Sequence, residues 1–63
     1  MNWHVEVVDL AGRSVTEILE PLEAETPLAA ANCLVNMNLR ETGQERGFHR
    51  FEAENMIVWV RSA

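Results

Sequence analysis

A chain of 63 residues holds one domain, and a domain this small buries only about 60% of the surface its unfolded chain exposes. Ten Asp and Glu stand against five Lys and Arg, for a formal net charge of −5. That balance disfavours sequence-independent binding to nucleic-acid phosphates, which needs Lys and Arg to release counterions. No apolar run is long enough to cross a bilayer as a helix.

The chain opens with alternation. Trp3, Val5 and Val7 are interleaved with His4 and Glu6, a period of two that predicts a strand over about residues 2–10. Val8 and Leu10 place apolar surface on its other face. Asp9 to Arg13 reads as a turn, with Gly12 free to take positive φ. The stretch 14–25 is two-sided. Ser14-Val15-Thr16-Glu17 fits a helix capping box, but Pro21 would break a helix within two turns, and Val15, Thr16 and Ile18 favour a strand. We read it as an edge strand made acidic by Glu17, Glu20, Glu23 and Glu25.

Helix signals come next. Thr26 is a suitable N-cap, Pro27 suits the first helical position, and Gly43 suits the left-handed residue that ends a helix. They predict a helix over about 27–42. Leu28, Ala31, Val35 and Leu39 form one apolar stripe on it, and Ala30, Cys33, Leu34 and Met37 a second. Asn32, Asn36 and Arg40 form a polar row, read as the solvated side of the helix. Two stripes in so short a chain predict a second chain against the helix, hence a homodimer. Cys33, lying on a stripe, is expected to be a buried core thiol.

After a polar link over 41–47, Phe48–Glu52 is a short strand with Phe48 and Arg50 on one face and His49 and Phe51 on the other. Ala53-Glu54-Asn55 is a turn. Met56–Val60 is a continuous apolar run, as in a strand covered on both faces. The fold class is therefore α+β, a ββαββ domain with one helix on a four-stranded sheet. The most apolar strands, first and last, belong in the middle. Sheet order 2-1-4-3 follows, with the central pair parallel; an all-antiparallel sheet is the alternative. The first order resembles the β-grasp topology, a likeness of strand order that carries no function.

Chemistry-bearing constellations are sparse. His4, Glu6, His49 and Glu52 contain metal-ligand types, but nothing in their spacing makes four ligands converge, so they are read as ordinary half-exposed side chains. Cys33 lacks the cationic or helix N-terminal setting that activates a thiol. Gly12, Gly43 and Gly47 form no phosphate-cradling loop. We expect no enzyme activity, no cofactor and no metal.

The functional expectation is a small protein–protein interaction or regulatory module that self-associates, of the size of a bacterial or phage accessory protein. In the last strand Met56, Val58 and Val60 alternate with Ile57, Trp59 and Arg61. One helix covers one sheet face, and the set containing Met56 matches it. Trp59, Ile57, Val8 and His4 are then the expected partner-binding residues on the opposite face. Neither nucleic acid nor membrane is an expected partner. The N-terminus has neither a basic region nor a small-residue cleavage site, and with a single cysteine this points to the cytoplasm. Two alternatives are an acidic decoy occupying a basic nucleic-acid-binding site on a partner protein and a small enzyme or metal protein.

Overall fold

The structure is a computed structural model. It describes the backbone of residues 1–17 and 20–63 and the side chains of 1–15 and 20–63. Its elements are β1 (Asn2–Asp9), β2 (Ser14–Glu17), β3 (Leu22–Glu23), α1 (Pro27–Leu34), β4 (Arg40–Glu45), β5 (Phe48–Ala53) and β6 (Met56–Ser62). The class is α+β, one helix on one antiparallel sheet. Strands run in the order β2-β1-β6-β5-β4, and β3 also pairs with β1.

The first and last strands are neighbours, as their apolar content requires, but they are antiparallel, from Trp3↔Ser62 to Asp9↔Met56. The β-grasp topology, which needs that pair parallel, is therefore not formed, and the sheet order differs from the expected 2-1-4-3 by the β4 strand added beyond the Phe48 strand. The polar link of the sequence reading is itself a strand, β4. That extra strand reverses the chain once more, so β6 meets β1 from the opposite direction. The Phe48 strand, expected at an edge, is internal, and β4 takes the edge. Region 14–25 forms two short pieces on β1 rather than one strand. Pro21, which cannot donate to a ladder, precedes the second piece. Ile18, one of the residues that favour a strand there, lies outside the described residues.

The helix begins where capping places it. The Ala29 amide donates to Thr26 Oγ1 at 3.1 Å, and Pro27 sits in the first turn. It ends after eight residues at Leu34, not near residue 42. Val35 is already extended, with φ −122° and ψ 100°. The Asn32 side-chain amide donates to the Val35 and Met37 carbonyls, both at 3.1 Å. This is the local competition by which Asn withdraws carbonyls from a helix. Gly43 consequently lies in β4, and the row Asn32, Asn36, Arg40 is split between helix, link and strand.

Truncation changes what the helix buries. Ala30 and Ala31 have no exposed surface and Leu34 is half-buried, while Leu28, Cys33 and Met37 are exposed. Cys33, expected in the core, is turned roughly 110° from the centre of the Ala30–Ala31–Leu34 face at 100° per residue. The two-striped helix therefore does not exist, and only one side of it packs. Beneath it lie Trp3, Val5, Val7, Phe51, Val58 and Val60, joined by Val35. Trp3 Nε1 donates to the Ala24 carbonyl at 3.0 Å and ties the approach to the helix onto β1.

Turn chemistry fixes the strand registers. Asp9 Oδ1 accepts from the Ala11 and Arg13 amides at 2.9 and 3.0 Å, and Gly12 has φ 84°. Between β4 and β5, Arg46 and Gly47 have φ 52° and 82°, both positive, as in a type I′ hairpin turn. Arginine is strained there because its Cβ crowds the carbonyl, at about 1–2 kcal/mol. Arg46→Asn should therefore raise stability by about 1 kcal/mol, seen as a higher urea midpoint at unchanged slope. An unchanged midpoint would mean the turn carries no such strain.

Candidate interaction surface

The sheet has two faces and the described chain has one helix. Alternation along β1 sends Trp3, Val5 and Val7 to the helix and His4, Glu6 and Val8 away from it. β6 divides likewise: Met56, Val58 and Val60 inward, Ile57, Trp59 and Arg61 outward. On β5, Phe51 is core, and Phe48, Arg50 and Glu52 lie on the outer side. The expected assignment of the two β6 sets is the one observed. Within one copy β6 is covered on the helix side, and Ile57 and Trp59 remain half-exposed on the other.

Register arranges the outer face in three rows across β1, β6, β5 and β4. His4, Arg61, Phe48 and Glu45 form the first. Glu6, Trp59, Arg50 and Gly43 form the second, and Val8, Ile57, Glu52 and Arg40 the third. All four residues expected at a partner surface, Trp59, Ile57, Val8 and His4, are therefore on one face. Val8 is directly opposite Ile57 in the ladder and is 8% exposed, so these two form a packed floor rather than a protruding anchor.

Trp59 is the middle of the face. Phe48 meets it edge-on, with ring centroids 6.1 Å apart at 90°, a favourable arrangement of aromatic quadrupoles. The Arg50 guanidinium lies 5.8 Å from the Trp59 ring, and Arg61 lies 5.9 Å from Phe48, within cation–π range. Arg50 is held further by Nη1 donating to Thr42 Oγ1 at 2.7 Å and Nη2 pairing with Glu52 Oε1 at 2.7 Å. Thr42 is available because β4 shifts register between Glu41 and Gly43, a bulge that places an extra residue opposite β5. An open groove of about 440 Å³ runs beside the aromatic pair, lined by His4, Glu6, Arg46, Phe48, Trp59 and Arg61 among others.

Charge is unevenly distributed. Arg40, Arg46, Arg50 and Arg61, four of the five cations of the chain, lie on or beside this face. Glu20, Glu23 and Glu25 are exposed at and beyond the opposite, β3 edge. Among the described residues Glu6 has no ion-pair partner on its own chain.

The metal-ligand types are not assembled. His4, Glu6 and Glu52 are on the outer face, and His49 is on the helix side. There His49 packs edge-on to Trp3 and stacks with Phe51, with Nδ1 3.0 Å from Glu41 Oε2. Among the described residues no group of three or more His, Cys, Asp or Glu is placed to hold a metal ion. Sequence reading placed Arg61 on the Trp59 face but missed Phe48 and Arg50 as members of that surface. Their signal was present in the Phe48/Arg50 alternation, but it became meaningful only once β5 was an internal strand beside β6.

Comparison of the chain with protein-family models, characterised proteins and solved structures found no match in any of the three.

Proposed function

We propose that the chain is a small, non-catalytic protein-interaction module that works by self-association, with the outer sheet face as its contact surface. The observation that carries this reading is the Trp59 row. A half-exposed Trp, met edge-on by Phe48 and flanked by the Arg50 guanidinium, lies one row from the Val8–Ile57 pair on the face opposite the helix. Tryptophan and arginine with apolar neighbours are the residue types that dominate interface energetics. The second copy is the occupant we favour because the face carries both charge signs in places where another copy of itself supplies the complement. This replaces the helix-based route to a homodimer, which the truncated helix removes. A reducing compartment suits a chain whose Cys33 is exposed and unpaired.

Sedimentation equilibrium on the wild type and on Trp59→Ala tests the reading. The wild type should dimerise, and the variant should remain folded by circular dichroism while its dimer weakens about 30-fold or more, equivalent to 2 kcal/mol. A wild type that is monomeric at every accessible concentration would sink the proposal. So would a Trp59→Ala protein that unfolds as a monomer, because Trp59 would then be core.

A further inference from the structure

Resting on self-association through the outer face, we infer that two copies stack sheet against sheet about a two-fold axis running along β6, with Glu6 of each copy paired to Arg50 of the other. The choice of axis follows from the three rows. β6 is the middle strand of the order β2-β1-β6-β5-β4. A two-fold axis parallel to β6, lying between the sheets, reverses the strand order of the second sheet and preserves height along the strands. β1 of one copy then lies over β5 of the other, and each row lies over its own counterpart. In the central row Trp59 faces Trp59 of the second copy, and Glu6 faces Arg50 of the second copy, twice by symmetry. In the first row His4 faces Phe48. The alternative in-plane axis, perpendicular to the strands, puts Glu6 over Glu6 and Arg50 over Arg50. It opposes like charges at both positions flanking the tryptophan, whereas the parallel axis pairs opposite ones there and sets like charges face to face only at Arg61, the β6 residue of the first row.

Both partners are prepared for this. Glu6 is half-buried and, among the described residues, has no cation within ion-pair reach. Arg50 is fixed by Thr42 and Glu52 through one contact on each terminal nitrogen and lies against Trp59. Its remaining N–H groups are donors for a second carboxylate. Strand axes in face-to-face sheets stay within about 30° of each other, so rows near the axis remain opposed. The contact is isologous and closes on itself, giving a dimer with the helices outside rather than a filament.

The experiment is a charge-reversal set read by sedimentation equilibrium, with circular dichroism confirming the fold. Glu6→Arg and Arg50→Glu should each weaken the dimer about 10-fold or more, since each sets two pairs of like charges face to face. The double variant Glu6→Arg/Arg50→Glu should return to within about 3-fold of wild type. Mixing the two single variants should also restore association, and that result does not depend on the double variant folding. Wild-type dimers whose single reversals have no effect, or whose double reversal is no better than either single, would overturn the assigned axis while leaving self-association standing. A monomeric wild type would remove both readings. So would a monomer whose Trp59 fluorescence is quenched by a single-stranded oligonucleotide, because the face would then be a base-stacking platform.

Discussion

Replacing Trp3 by alanine is expected to leave the domain largely unfolded in buffer at 25 °C. Trp3 is 5% exposed, packs with Val5, Val7, Val58 and Val60, and meets the ring of His49 edge-on. Among the described residues it is also the one core side chain that bonds the segment leading into the helix, through Nε1 to the Ala24 carbonyl at 3.0 Å. Truncation removes a large apolar side chain from a core that cannot collapse around the loss and strips that carbonyl of its donor. Such Trp→Ala changes cost about 3–5 kcal/mol. A 63-residue domain has roughly 3–9 kcal/mol in total at 0.05–0.15 kcal/mol per residue. Trp3→Phe separates the two effects. It keeps most of the packing and loses the hydrogen bond, for a cost of about 1–2 kcal/mol, and should remain folded. Urea unfolding followed by far-ultraviolet circular dichroism reads both. A Trp3→Ala protein with the wild-type midpoint would show that the Trp3 packing is not what holds the helix segment on the sheet.

Ala30→Leu is expected to lower stability by about 1–3 kcal/mol, while Ala29→Leu leaves it within about 0.5 kcal/mol. Ala30 and its neighbour Ala31 have no exposed surface, and their small side chains let a two-turn helix sit close against Val58, Val60 and Phe51. Leucine there must push helix and sheet apart or distort its own rotamer. Ala29 is exposed one residue earlier. Both substitutions exchange one good helix former for another, so helix propensity cancels and the difference reports packing alone. With a urea slope near 1 kcal/mol per M for a chain of this size, the midpoint of Ala30→Leu should fall by roughly 1–3 M relative to Ala29→Leu. Equal midpoints for the two variants would mean that the helix is not closely seated.

The features legible in the sequence are those written by near neighbours. Alternation in 3–8 and 56–61 separates the helix side from the outer side of β1 and β6, because side-chain direction in a strand follows from backbone geometry alone. The same rule places Trp59, Ile57, Val8 and His4 together once the two strands are neighbours. The start of the helix at Thr26-Pro27 is equally local, since a cap is a bond between residues three apart. The turn at Asp9–Gly12 belongs in the same group.

Where the helix stops, how many strands there are and how they are ordered came only from tertiary structure. Residues 35–42 carry helical spacing, and Gly43 is a fitting helix terminator, so pattern alone extends the helix through them. What defeats that extension is pairing at a distance. Arg40–Glu45 gains a ladder with β5, bulged at Thr42 and closed by the Arg46-Gly47 turn, while the Asn32 amide draws the Val35 and Met37 carbonyls out of the helical register. Once β4 exists, β6 enters beside β1 antiparallel, and β4 takes the edge from the Phe48 strand. Cys33 moves from an expected core position to the surface for the same reason: a helix of two turns has only one face to bury. The surface around Trp59 depends on both kinds of information. Its membership on β1 and β6 follows from local alternation, but Phe48, Arg50 and the Glu6-to-Arg50 row exist only because long-range pairing brings β5 alongside β6.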